Sequence, residues 1–284
     1  MGRWSDISDS LTVLLVLVLI PVIVLNLISN LVLADNWGRL LDVVGWHLPA
    51  TTVRRIWIRG QLARYAFGSA QLVSRPALAR TAGVPLRAGA FSTVVETVWQ
   101  TSLTATAAAL LAPAWLDVAP TAWVVMASAL VGTTVIVVLS VAPETVLGPV
   151  VRWVGHERAV TLTVGRRQAQ AISAWFGVNT VLRTFSFLLL YAAIGQRPLT
   201  LAVLVLVAAA FVTGNLAGRL VIFAPGGLGP REAVSGILLS AVVSPGQTVV
   251  LLAASRLAET IAEAVLLGAG ARRGEHAPET VNSD

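Results

Sequence analysis

Three apolar stretches of this sequence carry polar side chains at helical spacing, and these are the residues that could do chemistry. Ser92, Glu96 and Gln100 fall at i, i+4 and i+8, with Thr93 and Thr97 beside them. Asn179, Arg183 and Ser186 share a second face, and Arg256, Glu259 and Glu263 a third. A charge at the centre of a hydrocarbon layer costs at least about 2.5–3.5 kcal/mol on insertion scales. Such groups therefore face other helices and find partners. Two readings stay open. In one, Arg183 and Arg256 lock Glu96 and Glu259 into buried ion pairs that fix helix register. In the other, the stripes line a polar cavity for a charged headgroup.

A fourth cluster is the run Pro225-Gly226-Gly227-Leu228-Gly229-Pro230, which leads directly into Arg231 and Glu232. Glycines let the backbone turn sharply, and proline suits the first position of a helix. A helix starting at Pro230 presents free N–H groups and a positive dipole end. Arg231 adds a planar fork suited to phosphate. The plainer alternative is a loop in which Glu232 is only a helix-end acid. Metal chemistry has little to work with: cysteine is absent, and His47, His156 and His276 lie far apart. The sequence calls for no metal and no cofactor, and no Gly-x-x-x-x-Gly-Lys phosphate loop is present to couple ATP.

The elements that must position these residues are membrane helices. The 284 residues are 56% apolar and only 12% charged, with a mean hydropathy of +0.80; soluble domains carry about 25% charged residues. Runs long enough to cross about 30 Å of hydrocarbon occur at Leu11 to Leu33, Ala88 to Leu111, Thr121 to Val141, Ala171 to Ile194, Leu199 to Ala217 and Thr248 to Gly268. Two apolar stretches are broken by glycine or proline, 57–72 and 223–243, and broken helices survive at membrane depth only where they are buried in protein or line a watery cavity. The expected fold is an all-α polytopic bundle of about six to seven transmembrane helices with re-entrant segments at those two places. Residues 1–273 form one transmembrane domain, and 274–284 a disordered cytoplasmic tail.

All twenty basic residues are arginine, and the net charge is +6. Eight of them, including Arg39, Arg64 and Arg75, fall within 34–87, and others cluster at 142–170 and in the tail. That asymmetry places these segments in the cytoplasm and the N-terminus outside. It also assigns the basic excess to membrane topology rather than to nucleic acid. A short echo links the two halves. Gly60-Gln61-Leu62-Ala63 resembles Gly214-Asn215-Leu216-Ala217, an arginine follows at Arg75 and Arg231, and a Glu-Thr pair at 96–97 and 259–260. The spacing from glycine to glutamate differs, but opposite helix directions would fit an inverted repeat.

The segment from Phe223 to Ala233 resembles the Pro-Gly-Gly-Leu-Gly-x-Arg-Glu signature of the lysylphosphatidylglycerol synthase transmembrane family, a group of bacterial flippase-like membrane proteins. Looser similarity extends over about residues 30–270, through Trp37 to Leu41, Gln61 to Tyr65, Arg75 to Ala82 and Glu96. The chain has Phe67-Gly68-Ser69 where the family usually has a Pro-Gly pair, and the family usually has one more helix at the N-terminal end. The resemblance implies a role in moving or presenting membrane lipids, without the soluble transferase domain that makes lysylphosphatidylglycerol.

The combined expectation is a multi-pass inner-membrane translocase for an anionic phospholipid or lipid-linked intermediate, a transporter more than an enzyme. No catalytic residue is assigned. Arg231, Gly226, Gly227, Gly229, Glu232, Glu96, Arg183, Arg256, Glu259 and Arg75 are the expected substrate contacts. The alternatives are a membrane glycosyltransferase and a non-catalytic partner of a separately encoded lipid-modifying transferase. The sequence leaves the oligomeric state open.

Overall fold

The computed structural model describes residues 2–112, 127, 130–136, 138, 165–195, 198–221 and 224–272. Among them the chain is wholly helical, with no strand. The helices are α1 (Gly2–Val43), α2 (Ala50–Leu62), α3 (Gln71–Thr81), α4 (Leu86–Leu110), α5 (Arg166–Ile194), α6 (Leu201–Leu220), α7 (Pro230–Leu239) and α8 (Pro245–Arg272). Single 3₁₀ turns at Ala63–Tyr65 and Pro225–Gly227 mark the two breaks.

Three of these helices are long and apolar enough to cross a membrane: Leu17–Val43, Arg166–Ile194 and Leu201–Leu220. The chain is a membrane protein. The polar stripes of α4 and α8 lower their hydropathy and set them apart from those three. At 25 and 28 residues, and about 1.5 Å per residue, both are nonetheless long enough to cross. The outer surface fits lipid. Leu17, Ile20, Val24 and Ile28 are exposed along one face of α1, and Val178, Val181 and Phe185 along α5. Asn26, Asn30, Asn36, Asn179, Arg75, Arg231, Glu96, Glu259 and Glu263 lie inside instead.

Several boundaries differ from the sequence reading. The first helix runs on to Val43 rather than ending near Leu33, because Trp37, Leu40 and Leu41 bury their side chains in the core. The arginine-rich stretch 34–87 is therefore not a loop. It holds the end of α1, all of α2 and α3, and the start of α4. The fourth expected span begins at Arg166 instead of Ala171. Of the expected helix 121–141, residues 130–136 are helical. The remainder of it, most of 142–170 and the tail 274–284 lie outside the described residues.

Two apolar clusters hold the bundle. One gathers Trp37 and Leu41 of α1, Trp57 of α2, Trp99 of α4 and Ile172 and Phe176 of α5. The other gathers Phe187 and Tyr191 of α5, Val207 and Phe211 of α6, Leu239 of α7 and Leu251 of α8. Phe187 stacks on Phe211 with ring centroids 4.7 Å apart. Between the clusters, α1 and α5 pack antiparallel through polar side chains. The Asn26 amide donates to Ser186 Oγ (2.9 Å), Ser29 bonds Asn179, and the Asn36 amide donates to the Ile172 carbonyl (3.2 Å).

Candidate functional site

Both breaks are built so that a short arginine-bearing helix can press against a longer one. On α2, a Cβ at Gly60 would stand 2.9 Å from the Arg75 Cβ, so only glycine lets α3 approach this closely. On α6, Gly218 meets the Arg231 Cβ in the same way at 3.1 Å, and a Cβ at Gly214 would collide with Ser235 Oγ. The glycine that the sequence echo picks out, Gly214, also meets Arg231, since a Cβ there would lie 2.8 Å from the Arg231 carbonyl oxygen, so two glycines one turn apart seat the start of α7.

The second break is the sharper. Gly226, Gly227 and Gly229 all have positive φ, a conformation that side chains other than glycine's rarely adopt. Pro230 then opens α7, as the sequence reading expected. Glu232 does what the plainer reading assigned to it: its Oε2 accepts the Gly229 N–H at 2.8 Å. The Arg256 Nε donates to Glu232 Oε1 (2.8 Å) and its Nη1 to the Gly226 carbonyl (2.9 Å), bracing the loop from α8.

The first break brings its own pair together. Arg75 and Glu96, both buried, form an ion pair. Arg75 Nη2 also donates to Gln61 Oε1 (2.9 Å), and Trp57 Nε1 donates to Glu96 Oε1 (2.9 Å). The guanidinium sits over the rings of Trp57 and Trp37. Of the two open readings, the ion-pair one assigned Glu96 to Arg183 or Arg256; its partner is Arg75 instead.

In the second half, Arg231 donates to Glu259 Oε2 (3.0 Å) and Ser255 Oγ (3.2 Å) and lies over the Phe211 ring. Glu259 also has Arg183 at 3.5 Å and Arg256 at 3.9 Å. Arg183 is steadied from α1 by Ser29 Oγ (3.0 Å) and Asn30 Oδ1 (2.9 Å). The expected phosphate-holding residue thus commits its fork to a carboxylate on the neighbouring helix.

The two breaks touch each other, with Tyr65 against Gly226. Above them lies a cavity of about 240 Å³, lined among others by Trp57, Gln61, Arg64, Arg75, Glu96, Gln100, Arg183, Asn215, Arg219, Arg231, Arg256 and Glu259. One water needs roughly 10–15 Å³, so this space can take a small headgroup. All ten expected substrate contacts lie on or next to it: eight line its wall, and Gly229 and Glu232 brace the loop beneath.

Sequence reasoning missed three groups here. Arg64, at the first break, pairs at 2.5 Å with Glu263, which is fully buried. Arg219, near the end of α6, donates to Gln100 Oε1 (2.9 Å) and has no carboxylate partner among the described residues. The third is the polar face of α1, Asn26, Ser29, Asn30 and Asn36, whose recurrence on one helix face was the available signal. A narrow extension of about 20 Å³ continues from Arg183 and Arg219 between Thr104, Asn179 and Thr180.

Comparison with protein-family models, curated proteins and solved structures finds no match for this chain. The geometry alone carries the chemistry. Among the described residues, six arginines (64, 75, 183, 219, 231 and 256) line the cavity with Glu96 and Glu259, while Glu232 and Glu263, off its wall, pair with Arg256 and Arg64. Arginine stays protonated in proteins. The site therefore holds more positive than negative charge in a low-dielectric setting, where an uncompensated charge is costly.

Proposed function

We propose that this chain is a multi-pass inner-membrane lipid translocase that receives an anionic phospholipid or lipid-linked intermediate in the cavity between its two broken segments. The observation that carries this reading is the cation surplus around a cavity at the meeting point of two helix breaks. Discontinuous helices of this kind mark substrate sites in transporters, and arginine forks match phosphate geometry. The likeness of the Gly-Pro run to the lysylphosphatidylglycerol synthase transmembrane family supports the same reading.

In this reading the chain crosses the membrane six or seven times, and α2–α3–α4 and α6–α7–α8 are the two arms of an inverted repeat. Each arm supplies a glycine-backed arginine and the glutamate that pairs with it. Those pairs are the frame, and the lipid phosphate meets the arginines left in surplus. Glu96 and Glu259 on the cavity wall, and Glu232 and Glu263 off it, are all held by arginines, which suits a binding framework better than the free general base a glycosyltransferase needs.

The test is transfer in proteoliposomes containing the full chain. A fluorescent phosphatidylglycerol should cross between leaflets faster than in protein-free vesicles, and faster than a zwitterionic phosphatidylcholine carrying the same label. Equal rates for both lipids, or no acceleration of either, would overturn the proposal.

A further inference from the structure

The two halves exchange contacts across the cavity, and the exchange is unequal at one point. Glu263 lies one turn after Glu259 on α8 and receives the break arginine of the other half, Arg64, at 2.5 Å. Gln100 lies one turn after Glu96 on α4 and receives Arg219 of the other half at 2.9 Å. Both interactions follow one plan: an arginine of one half reaches the residue four positions beyond the paired glutamate of the other. In the first the acceptor is a carboxylate, and in the second a neutral amide.

Among the described residues, the Arg219 charge thus has no paired carboxylate at the place where the plan would supply an acid. Gln100 is 7% exposed, lines the cavity and has an Nε2 amide without a hydrogen-bond partner. A buried donor left unpaired costs about 1–3 kcal/mol, so an acceptor arriving there is favoured. Arg183 stands beside Arg219 on the wall of the narrow extension and shares Glu259 with two other arginines.

The geometry points to an anion site formed by Arg219, Gln100 Nε2 and Arg183, specific for a phosphate that carries two negative charges. This rests on the reading that the cavity receives an anion and names the atoms and the class. Among the described residues, six arginines on the wall and the four glutamates that pair with them leave a surplus of two charges. A phosphate monoester is close to doubly charged at neutral pH, with three acceptor oxygens. A phosphodiester such as phosphatidylglycerol carries one charge and would leave the other uncompensated. Terminal phosphate on a lipid and free inorganic phosphate share this chemistry.

The experiment measures thermal stabilisation and dissociation constants of the full chain in detergent micelles at pH 7.5. The probes are phosphatidic acid, phosphatidylglycerol and inorganic phosphate. Phosphatidic acid should bind wild type roughly tenfold tighter than phosphatidylglycerol, one charge-assisted contact being worth about that much. Stabilisation by phosphatidic acid alone assigns the site to a lipid headgroup, and equal stabilisation by inorganic phosphate assigns it to the free anion.

Gln100→Glu supplies the acid of the other half. It should keep or raise the melting temperature without ligand and lose roughly tenfold or more in phosphatidic acid affinity. Arg219→Gln should lose the same binding and guards against misfolding of the first variant. Wild-type affinity in a folded variant of either kind overturns the site and leaves the anionic-lipid reading standing. Equal affinity for phosphatidic acid and phosphatidylglycerol overturns the two-charge assignment. Failure of wild type to bind any of the three probes overturns the anion-cavity reading itself.

Discussion

The first arginine–glutamate centre is sealed and the second is crowded. Arg75 and Glu96 are 2% and 3% exposed, with one cation to one anion, further hydrogen bonds from an indole N–H to Glu96 and from Arg75 to an amide oxygen, and tryptophan rings on the guanidinium. Glu259 is as buried but sits within 3.9 Å of three arginines from three helices, α5, α7 and α8. The breaks differ in the same sense. The first turns through residues 63–70 with no positive φ, whereas the second needs three glycines in that region. The contrast separates two uses of one arrangement. A balanced pair is a brace, because removing either member strands the other in a low dielectric. A carboxylate shared among cations holds a positive field together without cancelling it.

The largest effect that would break this contrast belongs to Glu259. Glu259→Gln removes the carboxylate that three arginines share, so the loss of stability should exceed the about 3–5 kcal/mol typical of one broken buried pair. Thermal unfolding in detergent reads this directly, and a melting temperature within about 2 °C of wild type would deny Glu259 its central place.

Glu96→Gln comes next, at about 3–5 kcal/mol. Here the double change Arg75→Met with Glu96→Met should recover most of the loss, since a balanced pair can be replaced by apolar packing. No such recovery is expected when Glu259 and Arg231 are replaced together, because Arg183 and Arg256 remain. Equal recovery in both halves would erase the distinction between brace and shared anchor.

The breaks themselves give a smaller contrast. Gly227 has φ of 70°, and a Cβ there would lie 3.0 Å from the Gly218 carbonyl oxygen, so Gly227→Ala should cost about 1–3 kcal/mol. Gly68, in the first break, is not among the positive-φ glycines, and Gly68→Ala should stay within about 1 kcal/mol. Denaturation midpoints of the two variants compare them. The smallest change is Asn30→Ala, which removes one interhelical hydrogen bond to Arg183. Such bonds average about 0.6 kcal/mol within membranes, and a much larger loss would make α1 part of the charged centre.

Legibility followed locality. The break at 223–243 and the helix start at Pro230 were readable because the breakers sit in the turn they make. Glu96 and Glu259 were readable as inward-facing because a charge in an apolar run has few alternatives. Their partners were not. Arg75 lies in a stretch whose arginines all read as cytoplasmic loop, and only the bend through 63–70 carries it back beside Glu96. Arg219 was missed because the apolar run was taken to end at Ala217, two residues too early. Arg64 and Glu263 are 199 positions apart, and nothing local in either points to the other. The α1 face was missed because asparagine and serine disturb hydropathy far less than a charge does. The repeat echo marked Gly214, which packs against the Arg231 backbone, but not Gly218, one turn on, which packs against the Arg231 Cβ, since contact depends on helix phase as well as on the letters matched.

The antiparallel seam of α1 and α5 has a consequence for how the molecule is made. Asn26 and Ser186 are separated by 160 positions, and Ser29 and Asn179 by 150. At translation speeds of about 5–20 residues per second, α1 leaves the ribosome on the order of ten to thirty seconds before its partner exists. Throughout that interval the Asn26 amide can bond the Val22 carbonyl of its own helix (2.9 Å), but its partner across the seam does not yet exist. The polar seam of the first helix is thus closed only by a segment that emerges past mid-chain.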